Sequence, residues 1–246
     1  MRNIKLVMEY DGSRYKGWQK QKEDVPTIQG KLEKVLSKMA GEEIQVIGCG
    51  RTDTGVHAKN YVANFHTTST MINEDIKNYL SEFLPEDIII KGVVDANERF
   101  HSRYNAKAKT YVYTVDNGHY KDVFLRKYTT YIPDKLNINA MMAAADILIG
   151  THDFQSFTSL KQGKKSTVRT INYIDINEDG NFVKIEVNGD GFLLNMVRII
   201  AGTLLEVGKN NLKPSEVARI LEAKKRSEAG PMADARGLCL EEVEYN

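Results

Sequence analysis

Over its first ninety or so residues the chain switches hydrophobic period in a fixed order, and that order restricts the fold more than any other feature. Residues 4–10 form a short, densely apolar run that reads as a buried strand. Thr27 stands where an N-cap belongs, Ile28, Leu32, Val35, Leu36 and Met39 share one helical face, and Gly41 is placed to end that helix. Two strands follow, near residues 44–48 and 60–66. Asn73 is placed to cap a second helix carrying Ile76, Leu80, Phe83 and Leu84, which Pro85 stops before a strand over 88–94. Strand, helix, strand, strand, helix, strand is the ferredoxin-like βαββαβ unit.

The second half repeats this order loosely. Residues 110–115 and 128–132 read as strands, and 138–149 as an apolar helix closed by Gly150. Strands near 168–176 and 182–187 are joined through Asp179-Gly180, a hairpin signal. A long helix over 192–207 and another over 214–224, with Pro214 in its first turn, precede a last strand over 238–245. The expected class is therefore α/β (α+β): two ferredoxin-like halves, residues 1–103 and 104–246, with mixed or antiparallel sheets and a boundary near Arg103. No low-complexity linker separates the halves, so they are expected to pack rigidly, with a cleft between them as the natural site.

With Lys+Arg 34 against Asp+Glu 33, the 246-residue chain carries a net charge of +1 and lacks the excess of a strongly basic nucleic-acid binder. An RNA surface would need local segregation of charge. Candidate patches are Arg14, Lys16, Lys20 and Lys22; Arg99, Arg103, Lys107 and Lys109; Lys161, Lys164, Lys165 and Arg169; and Lys224, Lys225 and Arg226. Each is equally readable as a solvated face. The N-terminal residues lack the apolar core of a signal peptide, and no run approaches the eighteen or so apolar residues that cross a bilayer, so the expectation is a cytoplasmic chain with no membrane partner. Cys49 and Cys239 are too few for a metal cage and read as reduced, buried small residues.

The run Cys49-Gly50-Arg51-Thr52-Asp53-Thr54-Gly55-Val56-His57-Ala58 sets one acid between two glycines. Glycine permits positive φ or close backbone approach, so this pattern holds a carboxylate clear of the flanking chain, in reach of a substrate. The plain alternative is a polar turn in which Asp53 and Thr54 bond their own backbone and Arg51 faces water.

Residues 50–58 match throughout the signature of the tRNA pseudouridine synthase A family, which the chain resembles along almost its whole length. The matches include Tyr10-Asp11-Gly12, Gly17-Trp18-Gln19, Thr27 to Glu33, Phe100-His101-Ser102-Arg103, Tyr111-Val112-Tyr113, Gly150 to Phe154, Gly191-Phe192-Leu193, Met196-Val197-Arg198, Gly202-Thr203-Leu204 and Gly237-Leu238, in family order. The resemblance implies a pseudouridine synthase fold with a central cleft and a cofactor-free, metal-independent isomerase acting on uridines of the tRNA anticodon arm. It also implies a homodimer. Asp53 matches the essential catalytic aspartate, with attack on sugar or on base left open. Arg198 matches the arginine that pairs with it, Tyr111 the tyrosine lying against the target uracil, Leu238 the apolar residue beside the base, and Arg51 the arginine that displaces the nucleotide from its stack. Lys164 and Lys165, in a glycine-containing loop, are expected to reach the RNA backbone.

From the residues alone, Tyr111 and Tyr113 read equally as strand core, and Arg198 as a guanidinium snorkelling from an apolar helix or paired with a carboxylate. His57, His152 and Asp153 lack metal-ligand spacing and a nucleophile signature; His152 and Asp153 are expected to cap a turn, and residues 10–19 to shape the cleft. Two departures from the family pattern stand out: Cys49 in place of alanine, and Pro231-Met232-Ala233-Asp234-Ala235-Arg236 before Gly237-Leu238. These leave open a diverged paralogue acting elsewhere on tRNA or on ribosomal RNA. Rivals from other classes are an aspartic peptidase, spelled by Asp53-Thr54-Gly55, and a non-catalytic RNA-binding protein.

Overall fold

The computed structural model describes residues 1–22, 24–161, 163 and 166–245. The chain forms two compact units, Met1–Lys107 with Cys239–Asn246, and Ala108–Leu238. The boundary expected near Arg103 thus falls four residues later, and the chain end returns to the first unit.

In the first unit the elements are β1 (Arg2–Tyr10), α1 (Ile28–Ala40), β2 (Val46–Gly48), β3 (His57–Thr67), α2 (Asn73–Phe83) and β4 (Ile88–Ala96). β1 lies between β4 and β3, and β2 pairs with β3, all antiparallel; this β4-β1-β3-β2 order is that of the ferredoxin-like unit. Register follows the period-two pattern, with Ile4 opposite Phe65, Leu6 opposite Ala63 and Met8 opposite Tyr61, all buried. The helices lay Ile28, Leu32, Leu36, Ile76 and Leu80 into the same core. Helix α1 starts and stops where local chemistry dictates. The Thr27 hydroxyl accepts from the Gly30 N–H, and Gly41 takes the left-handed C-cap at φ 69.

Asn73 does not cap α2. Ile72 occupies that position, and the Asn73 side chain accepts from Arg2 and donates to Asp95, ion-paired neighbours across the edge of the sheet. Phe83 is 44 % exposed rather than core, packing on Tyr79 under the Lys38 ammonium. The last strand, β10 (Leu238–Glu244), runs parallel to the start of β3, with Cys239 opposite His57 and Leu240 opposite Ala58.

The second unit contains β5 (Ala108–Asp116), β6 (Thr130–Tyr131), α3 (Ile138–Asp146), β7 (Gly150–Asp153), β8 (Val168–Asp179), β9 (Phe182–Gly189), α4 (Met196–Gly208) and α5 (Glu216–Ala223). β9 sits between β5 and β8, and β7 extends the sheet beyond β8, all antiparallel; β6 adds a short parallel pair to β5. The β8–β9 hairpin turns at Gly180, φ 60, with Asp179 opposite Phe182. Gly150 does not end α3; at φ 103 it opens β7, while α3 stops at Asp146. Helix α4 begins at Met196 rather than 192, because Asn195 at φ 62 breaks the helical path before it. Pro214 lies in the turn before α5, which starts at Glu216. Among the described residues no helix is long and apolar enough to cross a membrane.

Candidate active site

The Asp53 loop joins β2 to β3 in the first unit, and the segment following β1 packs beneath it. Fasteners come from both sides. The Tyr61 hydroxyl, on β3, donates to the Gly50 carbonyl at 2.5 Å; the Tyr10 hydroxyl, at the end of β1, shares a 2.9 Å hydrogen bond with Thr52 Oγ1. The Trp18 N–H donates to the Thr52 carbonyl, the Gly55 N–H to that of Tyr15, and Val56 N–H to the Asp53 carbonyl, closing a turn around Asp53. Thr52 is buried between these groups, whereas Asp53 is half-buried and Arg51 exposed.

Glycine is required where the two segments meet. At Gly17, φ 90, an added Cβ would lie 2.6 Å from the Thr52 carbonyl oxygen; at Gly12 it would lie 2.0 Å from that of Val56. Gly55 takes φ 80 within the loop itself. Beneath them Trp18, only 2 % exposed, stacks on Tyr61 with ring centroids 4.1 Å apart. The backbone around Asp53 is thereby fixed from one side by Tyr61 on β3 and from the other by groups of residues 10–18, more than thirty positions away in sequence.

Arg51 Nε donates to Gln19 Oε1 at 3.0 Å, so its guanidinium is steered by the same segment. His57 is buried, with Nδ1 3.1 Å from the Gly12 N–H and 3.2 Å from Asp11 Oδ1. It accepts from the first when neutral or donates to the second when protonated, and either way it fastens the loop to the turn after β1. Among the described residues no three His, Cys, Asp or Glu side chains converge to hold a metal ion. Cys49 is buried, and burial beside Glu241 pushes the Cys239 thiol up to about 12, which keeps it protonated and unreactive at neutral pH.

In the second unit Tyr111 lies on β5 opposite Val187, buried, with its ring edge-on to Phe192 at 5.3 Å. Tyr113 shares that face two residues on. Its hydroxyl bonds Thr130 Oγ1 at 2.7 Å, and desolvation pushes its pKa up to about 12, so it remains a neutral core residue. Gly237 sits against this ring, where an added Cβ would be 2.8 Å from Tyr113 Cζ. Leu238 follows, buried at the start of β10.

Arg198 is the third residue of α4, a helix otherwise buried nearly all round. Its Nε donates to the Ala233 carbonyl at 2.8 Å, and the Ala233 N–H returns a 3.0 Å bond to the Arg198 carbonyl. The Gly230–Ala233 segment is pressed onto α4 by glycines: an added Cβ on Gly202 would lie 1.8 Å from the Pro231 carbonyl oxygen, and one on Gly230 2.7 Å from Thr203 Cα. A cation in the first turn of a helix opposes the macrodipole. By itself that position adds nothing to the stability of the helix. Asp234 and Arg236, the charges that depart from the family pattern, pair with each other at 2.9 Å and cap a single 3-10 turn. They add no net charge there.

Asp53 and Arg51 thus belong to the first unit, and Tyr111, Arg198 and Leu238 to the second, where Phe192 packs on Tyr111 and the Ala233 carbonyl holds Arg198. Lys164 and Lys165 lie outside the described residues. Asp153 does cap a turn, accepting from the Gln155 N–H, and also binds the Thr167 hydroxyl and Lys224. His152 instead lies in β7 with its Nε2 against the Ile149 carbonyl.

The sequence model of a family described as tRNA pseudouridine synthase matches residues 6–105 and 144–246. A tRNA pseudouridine synthase A 1 of Clostridium tetani is 60 % identical over 245 residues, with all of both chains covered. The chain belongs to the tRNA pseudouridine synthase A family. A tRNA pseudouridine synthase A 2 of Bacillus cereus is 48 % identical over the full length of both chains. A second Clostridium tetani protein, tRNA pseudouridine synthase A 2, is 48 % identical over all of this chain and 99 % of its own. Membership in the synthase family makes the chain an isomerase, and Asp53-Thr54-Gly55 part of its signature loop rather than the tripeptide of an aspartic peptidase.

Proposed function

We propose that this chain converts uridine to pseudouridine in the anticodon arm of tRNA, with Asp53 as the reacting carboxylate. The reaction breaks the ribose C1′ to uracil N1 bond, joins C1′ to C5, and moves a proton from C5 so that N1 regains one; the product is an isomer, and no redox partner is consumed. A carboxylate is already ionised at neutral pH and serves as a nucleophile provided a cation keeps it so away from water. Arg198 is assigned that role, Tyr111 the face on which the base lies, Leu238 the apolar contact beside it, and Arg51 the gap left by the extruded nucleotide. The observation that supports the reading is the turn around Asp53: its neighbours are pinned on both sides by buried hydroxyls and glycines, while the acid itself stays half-exposed. The enzyme is proposed to work in the cytoplasm as a homodimer, without metal or cofactor.

The test uses tRNA carrying tritium at uracil C5. The purified protein releases the label in the presence of a chelator, whereas Asp53→Asn releases none yet binds the RNA as tightly. Substantial release by Asp53→Asn would remove Asp53 from the reaction.

A further inference from the structure

Several described cations of this nearly neutral chain are answered by acids. Arg2 pairs with Asp95, Lys20 with Glu33, Lys59 with Glu241, Arg219 with Glu228 and Lys224 with Asp153. The loop after β4 is different. Arg99, Arg103 and Lys107 are all exposed, and among the described residues none of the three side chains has an ion-pair or hydrogen-bond partner. Beside them Tyr104 is 77 % exposed, with one face stacked on His101 at 4.2 Å and the other open.

Buried polar groups hold this loop in place. Asn3, 3 % exposed, donates to the Asn97 and Phe100 carbonyls; Asn64, fully buried, accepts from the Ser102 N–H and hydroxyl. The Tyr245 hydroxyl donates to the Ser102 carbonyl, and Lys5 lies over the Phe100 and Tyr245 rings. Two asparagines buried at the end of a sheet fix the loop's shape, and the fixed loop turns unpaired positive charge and an open aromatic face outward. That combination fits a polyanion with unstacked bases, which is RNA.

We infer that the loop 97–107 is a second RNA contact, remote from the reacting base, in which Arg99, Arg103 and Lys107 neutralise backbone phosphates and Tyr104 stacks on an unpaired nucleotide. The inference rests on the tRNA reading above. Asn3 and Tyr10 stand at opposite ends of β1, seven residues apart, so the loop lies about 23 Å from the end that carries the Asp53 turn, at roughly 3.3 Å per residue. It therefore acts on RNA affinity and not on the chemical step.

The experiment compares the parent with Arg99→Glu/Arg103→Glu/Lys107→Glu and, separately, Tyr104→Ala, measuring tRNA binding across a salt titration and tritium release at sub-saturating RNA. The triple variant should raise Kd about ten-fold or more, and its dependence of log Kd on log salt should flatten by about 2 to 3, one for each lost phosphate contact. Tritium release should fall by the same factor as affinity, and Tyr104→Ala should weaken binding without altering the salt slope. A milder set, Arg99→Gln/Arg103→Gln/Lys107→Gln, guards against misfolding and should shift the slope in the same direction. Binding and slope equal to the parent's in both sets would overturn the inference, as would weaker binding at an unchanged slope. If the parent itself forms no pseudouridine, the functional reading fails instead.

Discussion

The turn that carries Asp53 and the helix that carries Arg198 position their charges by different physics. Around Asp53 the fasteners are directional: a hydroxyl-to-carbonyl bond from Tyr61, a hydroxyl pair between Tyr10 and Thr52, and glycines at positive φ. Around Arg198 they are steric: a buried helix, two glycines against backbone, and one reciprocal pair of bonds to Ala233. A hydrogen-bonded loop can be mis-set without unfolding the unit beneath it, whereas close packing ties site geometry to stability. Substitutions in the two regions should therefore separate activity from stability.

The largest combined effect is expected at Gly202→Ala. Its Cβ would meet the Pro231 carbonyl at 1.8 Å, and overpacking of this kind costs about 1–3 kcal/mol. The Ala233 loop must shift, dragging Arg198 with it, so thermal unfolding and tritium release should both drop. Gly17→Ala comes next and behaves differently. Its left-handed backbone costs about 1–2 kcal/mol for an L side chain, and the clash falls on Thr52 and Asp53, so kcat should fall about a hundred-fold through misplacement, with a modest loss of Tm. Equal proportional losses of stability and turnover in both variants would erase the distinction.

Two smaller changes sharpen it. Tyr10→Phe strands the buried Thr52 hydroxyl and should cost about 1–3 kcal/mol, with a measurable fall in kcat. Asp153→Asn probes an ion pair of the second unit. The Thr167 hydroxyl and the Lys224 ammonium hold the Asp153 carboxyl below its ordinary range. A depressed carboxyl adds stability above its unfolded pKa and loses it as pH falls through the folded value. The variant should thus melt below the parent at neutral pH, and the gap should close below about pH 4. A gap independent of pH would assign the effect to packing instead.

Local chemistry made α1 legible in the sequence, since Thr27 and Gly41 settle both ends without help from the rest of the chain. Tertiary partners decided the places where sequence reading failed. The Asn73 side chain was claimed by Arg2 and Asp95, and the apolar run before Met196 continues a helical pattern that Asn195 interrupts in the backbone. β7, four residues long, exists through its ladder with β8 and carries almost no periodicity of its own. The open turn around Asp53 was legible because glycines bracket it. Its scaffold was not, because the Tyr10 and Thr52 hydroxyls are 42 positions apart and nothing in either segment announces the other. Gly17 and Gly202 were visible only as matches to a family pattern; the backbone oxygens they press against supply the reason.

Whether this chain isomerises uridines of the tRNA anticodon arm is decided by mapping pseudouridines in total RNA from cells with and without the protein. Loss confined to the anticodon arm of tRNA, restored by the parent gene and not by Asp53→Asn, is the predicted result. Unchanged tRNA with pseudouridine lost only from ribosomal RNA would contradict it.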